Sequence, residues 1–172
     1  MALRQTTPQP VLAPAPSIVL DQPAPAEVAK TDTGPAPSLE TLVANQGQDI
    51  DNLDPDTECM AKVVHHEAAN QPLAGQLAVA EVIVNRTHSG RFPTTPCAVA
   101  NQRGQFFRTD SYHVPVTSPR WRTAVAIARI AEAGEAPAAA PGALFFHASY
   151  ARTDWSSRRT LVAQIAGQIF YR

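Results

Sequence analysis

One acidic side chain interrupts the apolar stripe of a predicted helix. Met60, Val63 and Val64 occupy positions i, i+3 and i+4 of that helix, and the next position of the same stripe is Glu67. Burial disfavours the charged form of a carboxyl group, and an acid that stays protonated near neutral pH can protonate the leaving oxygen of a glycosidic bond. Glu67 is therefore a candidate general acid, although a partly exposed or Arg-paired glutamate in the last helical turn gives the same pattern.

Two histidines directly before this glutamate raise the alternative of a metal site. The zincin motif needs His-Glu-x-x-His, so that two imidazoles lie one helical turn apart, whereas the residue four positions after His66 is Asn70. No Cys-x-x-Cys or His-x-His pattern supplies the missing ligand. The alternatives are a metal-dependent amidase or peptidase that uses His65 and His66, or two histidines that pack beside Glu67. We expect no metal and no cofactor.

Other catalytic signatures have less support. The chain has no Gly-x-Ser-x-Gly nucleophile motif and no glycine-rich phosphate loop. Cys97 follows Pro96 and has no adjacent histidine that could activate it. On spacing alone, Cys59 and Cys97 are either two buried thiols or one disulfide that closes a loop of about forty residues.

Start and stop signals define the helices that must position Glu67. Asp54-Pro55 supplies an N-cap followed by proline at the first helical position, and Ser118-Pro119 supplies a second such pair. The segment Leu77–Val84 is apolar almost all round, which is typical of a buried central helix. The predicted helices span residues 55–69, 74–88, 96–100 and 119–133.

The rest of the chain predicts a small antiparallel sheet. Residues 143–148 form an apolar run of strand length, and a terminal hairpin is predicted for residues 161–165 and 168–171 around Ala166-Gly167. We also expect residues 105–108 to be extended. With three main helices and this sheet, the predicted fold class is α+β.

Composition separates an N-terminal segment from this domain. Eight of the 16 prolines precede Ser38, and residues 1–53 contain no aromatic side chain. This segment carries 2 Lys/Arg against 6 Asp/Glu, a charge of −4, whereas residues 54–172 carry 12 against 9, a charge of +3, with all five histidines. A segment so poor in apolar area cannot offset its ordering entropy. We therefore predict a disordered linker over 1–53 and one domain over 54–172.

The same arithmetic limits the classes of partner. A domain charge of +3 is too modest to indicate nucleic-acid binding, and no apolar run approaches the ~20 residues of a membrane-spanning helix. Residues 1–4 contain no apolar core of a signal peptide. We therefore expect that the start of the given sequence is truncated or misplaced. We consider this a better explanation than a protein that stays in the cytoplasm.

Several ordered stretches of residues 54–172 together resemble one family, the SleB-type cell wall hydrolases, which include the spore-cortex-lytic enzymes. The stretches that carry the resemblance are Cys59–Ala68, Gly75–Arg86, Ser89–Pro93, Cys97, Gly104–Phe106, Gly142–Ala148, Trp155 and Ile169–Arg172. The resemblance implies a lysozyme-like, lytic-transglycosylase-related fold that cleaves peptidoglycan between N-acetylmuramic acid and N-acetylglucosamine. It also implies that Glu67 is the catalytic acid and that no second carboxylate is needed, since the muramic acid 6-hydroxyl forms a 1,6-anhydro product.

The resemblance further implies a substrate groove. Gln105 is expected to hydrogen-bond the sugar, Phe106 and Trp155 to stack on it or to pack in the core, and His147 to belong to the site. The two cysteines match family positions, which favours a disulfide and an extracytoplasmic setting. The expected partner is the peptidoglycan strand, with an envelope partner for the Pro-rich segment, and the expected state is a monomer.

The chain departs from the family pattern near the presumed groove. Histidines replace aromatic residues before Glu67, Ala69-Asn70-Gln71 replaces Arg-Gly-Glu after it, and Ala166-Gly167-Gln168 replaces Gly-Asn-His. These changes leave open a non-catalytic wall-binding or assembly protein on a degenerated hydrolase fold. Asp110 and Asp154 are the candidate second carboxylates if the enzyme is a true hydrolase.

Overall fold

Capping residues begin the helices that carry the fold. In the computed structural model, which describes residues 36–172, the Asp54 carboxylate accepts hydrogen bonds from the backbone N–H groups of Asp56 and Thr57, each at 3.0 Å. Ser118 caps a later helix in the same way, and Gly134 ends that helix in the left-handed conformation at φ +64°. The elements in chain order are α1 (Leu39–Gln46), α2 (Pro55–Ala68), α3 (Leu73–His88), α4 (Pro96–Ala100), α5 (Pro119–Ala133), β1 (Phe145–Ala148), β2 (Leu161–Ile165) and β3 (Gln168–Tyr171), with 3₁₀ turns at Thr109–Ser111 and Ser156–Arg158.

The core lies where α2, α3 and α5 pack against one another. The apolar stripe of α2 is buried as predicted, with Met60, Val63 and Val64 fully inaccessible to solvent. Helix α3 is buried on most of its surface, so it is the central helix that its sequence predicts. Trp121 on α5 is 2% exposed and closes the same core.

The sheet has three antiparallel strands in the order β1-β3-β2. Strand β3 is central, and its Phe170 is fully buried against the helices. The turn between β2 and β3 contains Ala166 at φ +46° followed by Gly167. The predicted hairpin and the α+β fold class are therefore confirmed. No helix within residues 36–172 is long and apolar enough to cross a membrane.

The predicted linker is wrong over its last part. Helix α1 begins at the N-cap Ser38 and packs against α5, and its Leu42 is only 9% exposed within the core cluster. Leu39, Leu42 and Val43 give α1 an apolar edge at helical spacing, and burial of this edge offsets the ordering entropy. The compact unit consequently begins near residue 35 rather than at residue 54. The rest of the predicted linker, residues 1–35, lies outside the described residues.

The extended piece predicted for residues 105–108 is wrong at its beginning, whereas Arg108 has extended backbone angles. Gly104 adopts φ +77°, and residues 104–105 form a turn rather than a strand. No strand of the described sheet pairs with this segment. It is a loop that leads into the 3₁₀ turn at Thr109–Ser111.

The two cysteines form a disulfide between α2 and α4. The Cα atoms of Cys59 and Cys97 are 5.1 Å apart, within the range that a disulfide requires. This pairing resolves the alternative that spacing alone leaves open. It also fixes the start of α4 near the start of α2, where the Asp56 carboxylate accepts a hydrogen bond from the Cys97 N–H at 2.8 Å.

We predict that Leu42→Ala destabilises the whole domain. The change deletes buried methyl groups, so the free energy of unfolding should fall by about 2 kcal/mol. The matched control is Asn45→Ala on the exposed side of α1, which should change the unfolding free energy by less than about 0.5 kcal/mol. Urea unfolding of both variants provides the measurement. Equal stability of Leu42→Ala and the unaltered protein would show that α1 does not belong to the folded unit.

Reduction of the disulfide should also lower stability. In the chain-entropy model, opening a loop with a sequence separation of 38 residues costs about 4 kcal/mol of unfolding free energy. The measurement is thermal unfolding with and without a thiol reductant. The double variant Cys59→Ala/Cys97→Ala is the control and should unfold at the same temperature in both conditions. If the unaltered protein has the same melting temperature with and without the reductant, this expectation is wrong.

Candidate active site

A cavity of about 450 Å³ lies between the end of α2, the loop after α4 and strand β1. It brings together residues that are far apart in the sequence, and all five predicted catalytic and substrate-binding residues are in its wall. The lining residues are Glu67, Arg86, Gly104, Gln105, Phe106, Phe145, Phe146, His147, Ala148, Trp155 and Arg159.

Glu67 lies in the last turn of α2 with its side chain about 30% exposed. The helical stripe predicts a buried side chain, but the cavity opens that end of the stripe, so the carboxylate is only half-buried. Its Oε1 lies 2.9 Å from His66 Nδ1. When the carboxyl group is ionised it can only accept, and His66 then donates this hydrogen bond. The main-chain oxygen of Glu67 accepts a further bond from Gln168 Nε2 at 3.2 Å, which ties the helix end to β3.

Aromatic side chains hold the two histidines beside Glu67. The ring of His66 lies 4.3 Å from that of Phe107 and 5.3 Å edge-on from that of Tyr112. His65 Nδ1 lies 2.8 Å from the Tyr112 hydroxyl. Burial lowers the pKa of His65, and the positive charge of Arg120 lowers it further. Burial likewise raises the pKa of Tyr112, with a second contribution from the Glu67 carboxylate.

Both histidines therefore engage protein side chains rather than each other. Across residues 36–172, no three His, Cys, Asp or Glu side chains are grouped so that they could hold a metal ion. Their observed contacts fit the alternative in which both histidines pack and form hydrogen bonds beside Glu67.

His147 is fixed by the neighbouring aromatic residues of the sheet. Its Nδ1 lies 2.8 Å from the carbonyl oxygen of Ala148, and a carbonyl can only accept, so Nδ1 carries the proton. Its Nε2 lies 3.1 Å from the Tyr171 hydroxyl, and the two rings are stacked with centroids 5.5 Å apart. Trp155 meets both rings edge-on at 5.5 and 5.6 Å. In the neutral ring, Nε2 thus accepts the hydrogen bond that Tyr171 donates.

Gln105 and Phe106 reach the cavity from a turn that stands where an extended segment was predicted. The positive φ of Gly104 directs the chain so that both residues enter the lining. Phe106 is partly buried, and its ring lies 6.2 Å from that of Phe146, which in turn packs on Phe170 at 5.7 Å. Phe106 therefore packs against the core and lines the cavity at the same time.

Six lining residues were not predicted as site residues, and Arg86, Phe145 and Arg159 are among them. In the sequence, Arg86 lies within the predicted helix 74–88 and ends the stretch Gly75–Arg86 that carries the resemblance. Its Nε does donate a hydrogen bond to the Leu144 carbonyl at 2.8 Å, but the guanidinium also faces the cavity. Burial lowers the pKa of Arg86 to about 10, and repulsion from Arg159 contributes. Phe145 belongs to the stretch Gly142–Ala148 that carries the resemblance, but nothing in the sequence indicates its contact with Arg159, because that contact joins two separate segments.

Glu67 is the single carboxylate in the wall of this cavity. Asp110 and Asp154, the candidate second carboxylates, are both exposed and lie outside the lining. Asp110 instead forms an ion pair with Arg108. The described part of the chain therefore offers one carboxyl group, and not a facing pair, to a molecule in the cavity.

The chain matches known proteins over this same region. The family model described as Cell Wall Hydrolase matches residues 70–171, which is more than half of the chain and begins just after Glu67. A spore cortex-lytic enzyme from Oceanobacillus iheyensis is 40% identical over 68 residues, which span 40% of this chain and only 22% of that protein.

Two solved structures are similar in both sequence and fold. The catalytic domain of the germination-specific lytic transglycosylase SleB from Bacillus anthracis matches with a TM-score of 0.60 at 28% identity, covering 71% of this chain and 98% of that one. The catalytic domain of the Bacillus cereus SleB protein matches with a TM-score of 0.57 at 30% identity, covering 68% and 89%. These matches confirm the lysozyme-like, lytic-transglycosylase-related fold class, and with the family match they show that this chain belongs to the cell wall hydrolase family.

Proposed function

We propose that this protein is a lytic transglycosylase that cleaves peptidoglycan between N-acetylmuramic acid and N-acetylglucosamine, with Glu67 as its general acid and base. The observation that carries the proposal is the single carboxylate in the wall of a cavity of about 450 Å³, in a chain whose similar structures include a lytic transglycosylase domain. A glycosidase that uses water as its nucleophile needs two carboxyl groups across the bond. One carboxyl group suffices when the substrate provides its own nucleophile.

The reaction uses the Glu67 carboxyl group twice, first to give a proton and then to take a different one. The Glu67 carboxyl first gives its proton to the glycosidic oxygen as the bond from that oxygen to C1 of the muramic acid breaks. The muramic acid 6-hydroxyl then attacks C1, and the Glu67 carboxylate takes the proton of that hydroxyl. The products are a 1,6-anhydro end and a free 4-hydroxyl on the next sugar, and no water is consumed. The hydrogen bond from His66 Nδ1 at 2.9 Å stabilises the carboxylate between the two transfers.

The remaining predicted site residues are proposed to bind the glycan. Gln105 offers an amide to sugar hydroxyl and acetamido groups, and Phe106 and Trp155 offer ring faces for stacking. His147, fixed by Tyr171 and Ala148, is proposed to orient a substrate polar group. Such rigid placement lowers the entropy cost of binding.

The alternative functions receive less support from the site. A non-catalytic wall-binding protein does not require a carboxyl group in the cavity, and here Glu67 is held at both its carboxylate and its main-chain oxygen. A metal-dependent amidase that uses His65 and His66 requires that both side chains converge on one metal ion. Instead, His65 contacts Tyr112 and His66 contacts Glu67. The non-catalytic alternative predicts no muropeptide release, and the metal-dependent alternative predicts activity that is independent of a proton on Glu67.

We further propose that residues 36–172 form the catalytic domain and that it acts outside the cytoplasm on the wall. The disulfide between Cys59 and Cys97 supports this setting, because such bonds persist in oxidising compartments. The envelope partner of the Pro-rich segment and the monomeric state stay predictions of the sequence.

Glu67→Gln should abolish most of the activity while the protein stays folded. Glutamine keeps the size of the side chain but cannot transfer a proton, so the rate of muropeptide release from purified sacculi should fall by about 10²–10⁴-fold. Circular dichroism and thermal unfolding check the fold. The controls are Asp110→Asn and Asp154→Asn, whose side chains lie outside the cavity lining and which should release muropeptides at the normal rate. Wild-type digestion by Glu67→Gln would rule out this mechanism.

The released products should carry 1,6-anhydro-muramic acid ends. Mass spectrometry distinguishes them, because an anhydro end is lighter by one water than a reducing end. Digestion in ¹⁸O-water adds a second readout, since the transglycosylase reaction incorporates no label at C1. Reducing ends that carry ¹⁸O would instead indicate a hydrolase. That result, together with lost activity in Asp154→Asn or Asp110→Asn, would assign a second carboxylate that approaches only when substrate is bound.

A further inference from the structure

Two guanidinium groups face the same cavity as Glu67 without a carboxylate partner. Arg86 comes from the last turn of α3, and Arg159 comes from the residue after the 3₁₀ turn at Ser156–Arg158. Within residues 36–172, neither forms an ion pair with an aspartate or glutamate. Arg86 is only 4% exposed, so its charge is almost wholly removed from bulk water.

Most hydrogen-bond donors of this pair are unused in the described structure. Arg86 donates from Nε to the Leu144 carbonyl, but its buried Nη1 has no partner. The Arg159 side chain makes no hydrogen bond to residues 36–172, and its Nε is also buried. A buried donor without an acceptor costs about 1–3 kcal/mol, and more for a charged group. Two like charges at one cavity add repulsion, which contributes to the lowered pKa of Arg86.

Aromatic faces offset part of this cost. The Arg159 guanidinium lies 3.4 Å from the centre of the Phe145 ring and 5.5 Å from that of Trp155. The Arg86 guanidinium lies 4.7 Å from the Phe92 ring centre and 5.3 Å from that of Phe106. Such cation–π contacts use the flat face of the guanidinium. They do not use the N–H groups along its edge, most of which have no acceptor within residues 36–172, and that edge matches the two oxygens of a carboxylate.

We propose that Arg86 and Arg159 form a carboxylate-binding subsite of this cavity, which recognises a carboxylate carried by the muramic acid residue of the glycan. The inference rests on the proposed function for the identity of the sugar. Muramic acid carries a lactyl group on O3, and its carboxylate is free where the stem peptide is absent. Where the peptide is present, the lactyl carboxylate is an amide and the peptide carries carboxylates of its own. Both sources offer the same chemistry to the arginine pair.

Direct binding separates these sources without any cleavage. Three ligands built on the N-acetylglucosaminyl-N-acetylmuramic acid disaccharide are compared by calorimetry with the full chain. The first has the free lactyl carboxylate, the second has that carboxylate converted to a neutral methylamide, and the third carries a dipeptide with a terminal carboxylate. We expect at least one charged ligand to bind about tenfold more tightly than the methylamide, as one charge-assisted contact predicts. The ligand that shows the preference identifies the source.

Variants of Arg159 test whether the arginine pair causes the preference. Arg159→Gln should bind charged and neutral ligands with the same affinity, and Arg159→Lys should keep part of the preference because it keeps the charge. The matched control is Arg158→Gln, an adjacent and exposed arginine outside the cavity lining, which should keep the full preference. A merely structural Arg159 would weaken all three ligands equally. Thermal unfolding verifies that each variant is folded.

The outcomes distinguish the subsite from the function on which it rests. Equal affinity of the unaltered protein for all three ligands overturns the subsite and leaves the transglycosylase proposal intact, and this comparison needs no variant. A preference that persists undiminished in Arg159→Gln also overturns it. Absence of binding by all three ligands, together with failure to digest sacculi, overturns both proposals.

Discussion

The hydrogen bonds from the last turn of α3 to the chain before β1 join the helical core to the sheet. Asn85 donates to the Ala143 carbonyl at 3.1 Å, and Arg86 donates to the Leu144 carbonyl at 2.8 Å. Because β1 begins directly afterwards, these two bonds fix where His147 lies relative to the helices. The cavity wall includes Arg86 from α3 and residues 145–148 of β1. The two bonds therefore join elements that both contribute to this wall.

Helix α3 carries two buried ionisable side chains, Glu81 and Arg86, which differ in their hydrogen-bond partners. Burial raises the pKa of the Glu81 carboxyl, although its oxygens accept hydrogen bonds from the N–H groups of Ala139 and Ala140 at 2.9 and 2.7 Å. This carboxyl is thus satisfied by the loop that it holds. Arg86 keeps a buried nitrogen without a protein partner in the described residues, although its guanidinium faces a cavity. Buried polar groups without partners are rare in folded proteins, so the contrast separates a structural charge from one available to a ligand.

Local signals predicted the helices and strands because capping and periodicity act over a few residues. Asp54 and Ser118 cap their helices as their sequences indicate, and the hairpin around Ala166 follows from two apolar runs with a turn. Helix α1 was missed because the proline content was averaged over residues 1–53. The N-cap Ser38 and the apolar spacing that begins at Leu39 are local signals that this average conceals.

The site was predictable only where a family pattern or a helical face marked a residue. Glu67 interrupts an apolar stripe, and His147 and Trp155 lie in stretches that resemble the family, whereas nothing local identifies the contact of Arg159 with Phe145. That contact joins segments separated along the chain, and its energy comes from a ring face and a guanidinium. Sequence periodicity carries no information on such a pair.

The residues in which this chain departs from the family pattern contact one another beside the proposed acid. Gln71 Oε1 accepts a hydrogen bond from the Gly167 N–H at 3.2 Å, and Gln168 donates to the main-chain oxygen of Glu67 at 3.2 Å. A side chain at position 167 would place its Cβ 3.4 Å from Gln71 Nε2, so glycine leaves room for this glutamine. The altered positions thus form an alternative joint between α2 and the hairpin. This joint holds the end of the helix that carries Glu67, because Gln168 on the hairpin donates to the main-chain oxygen of Glu67 itself.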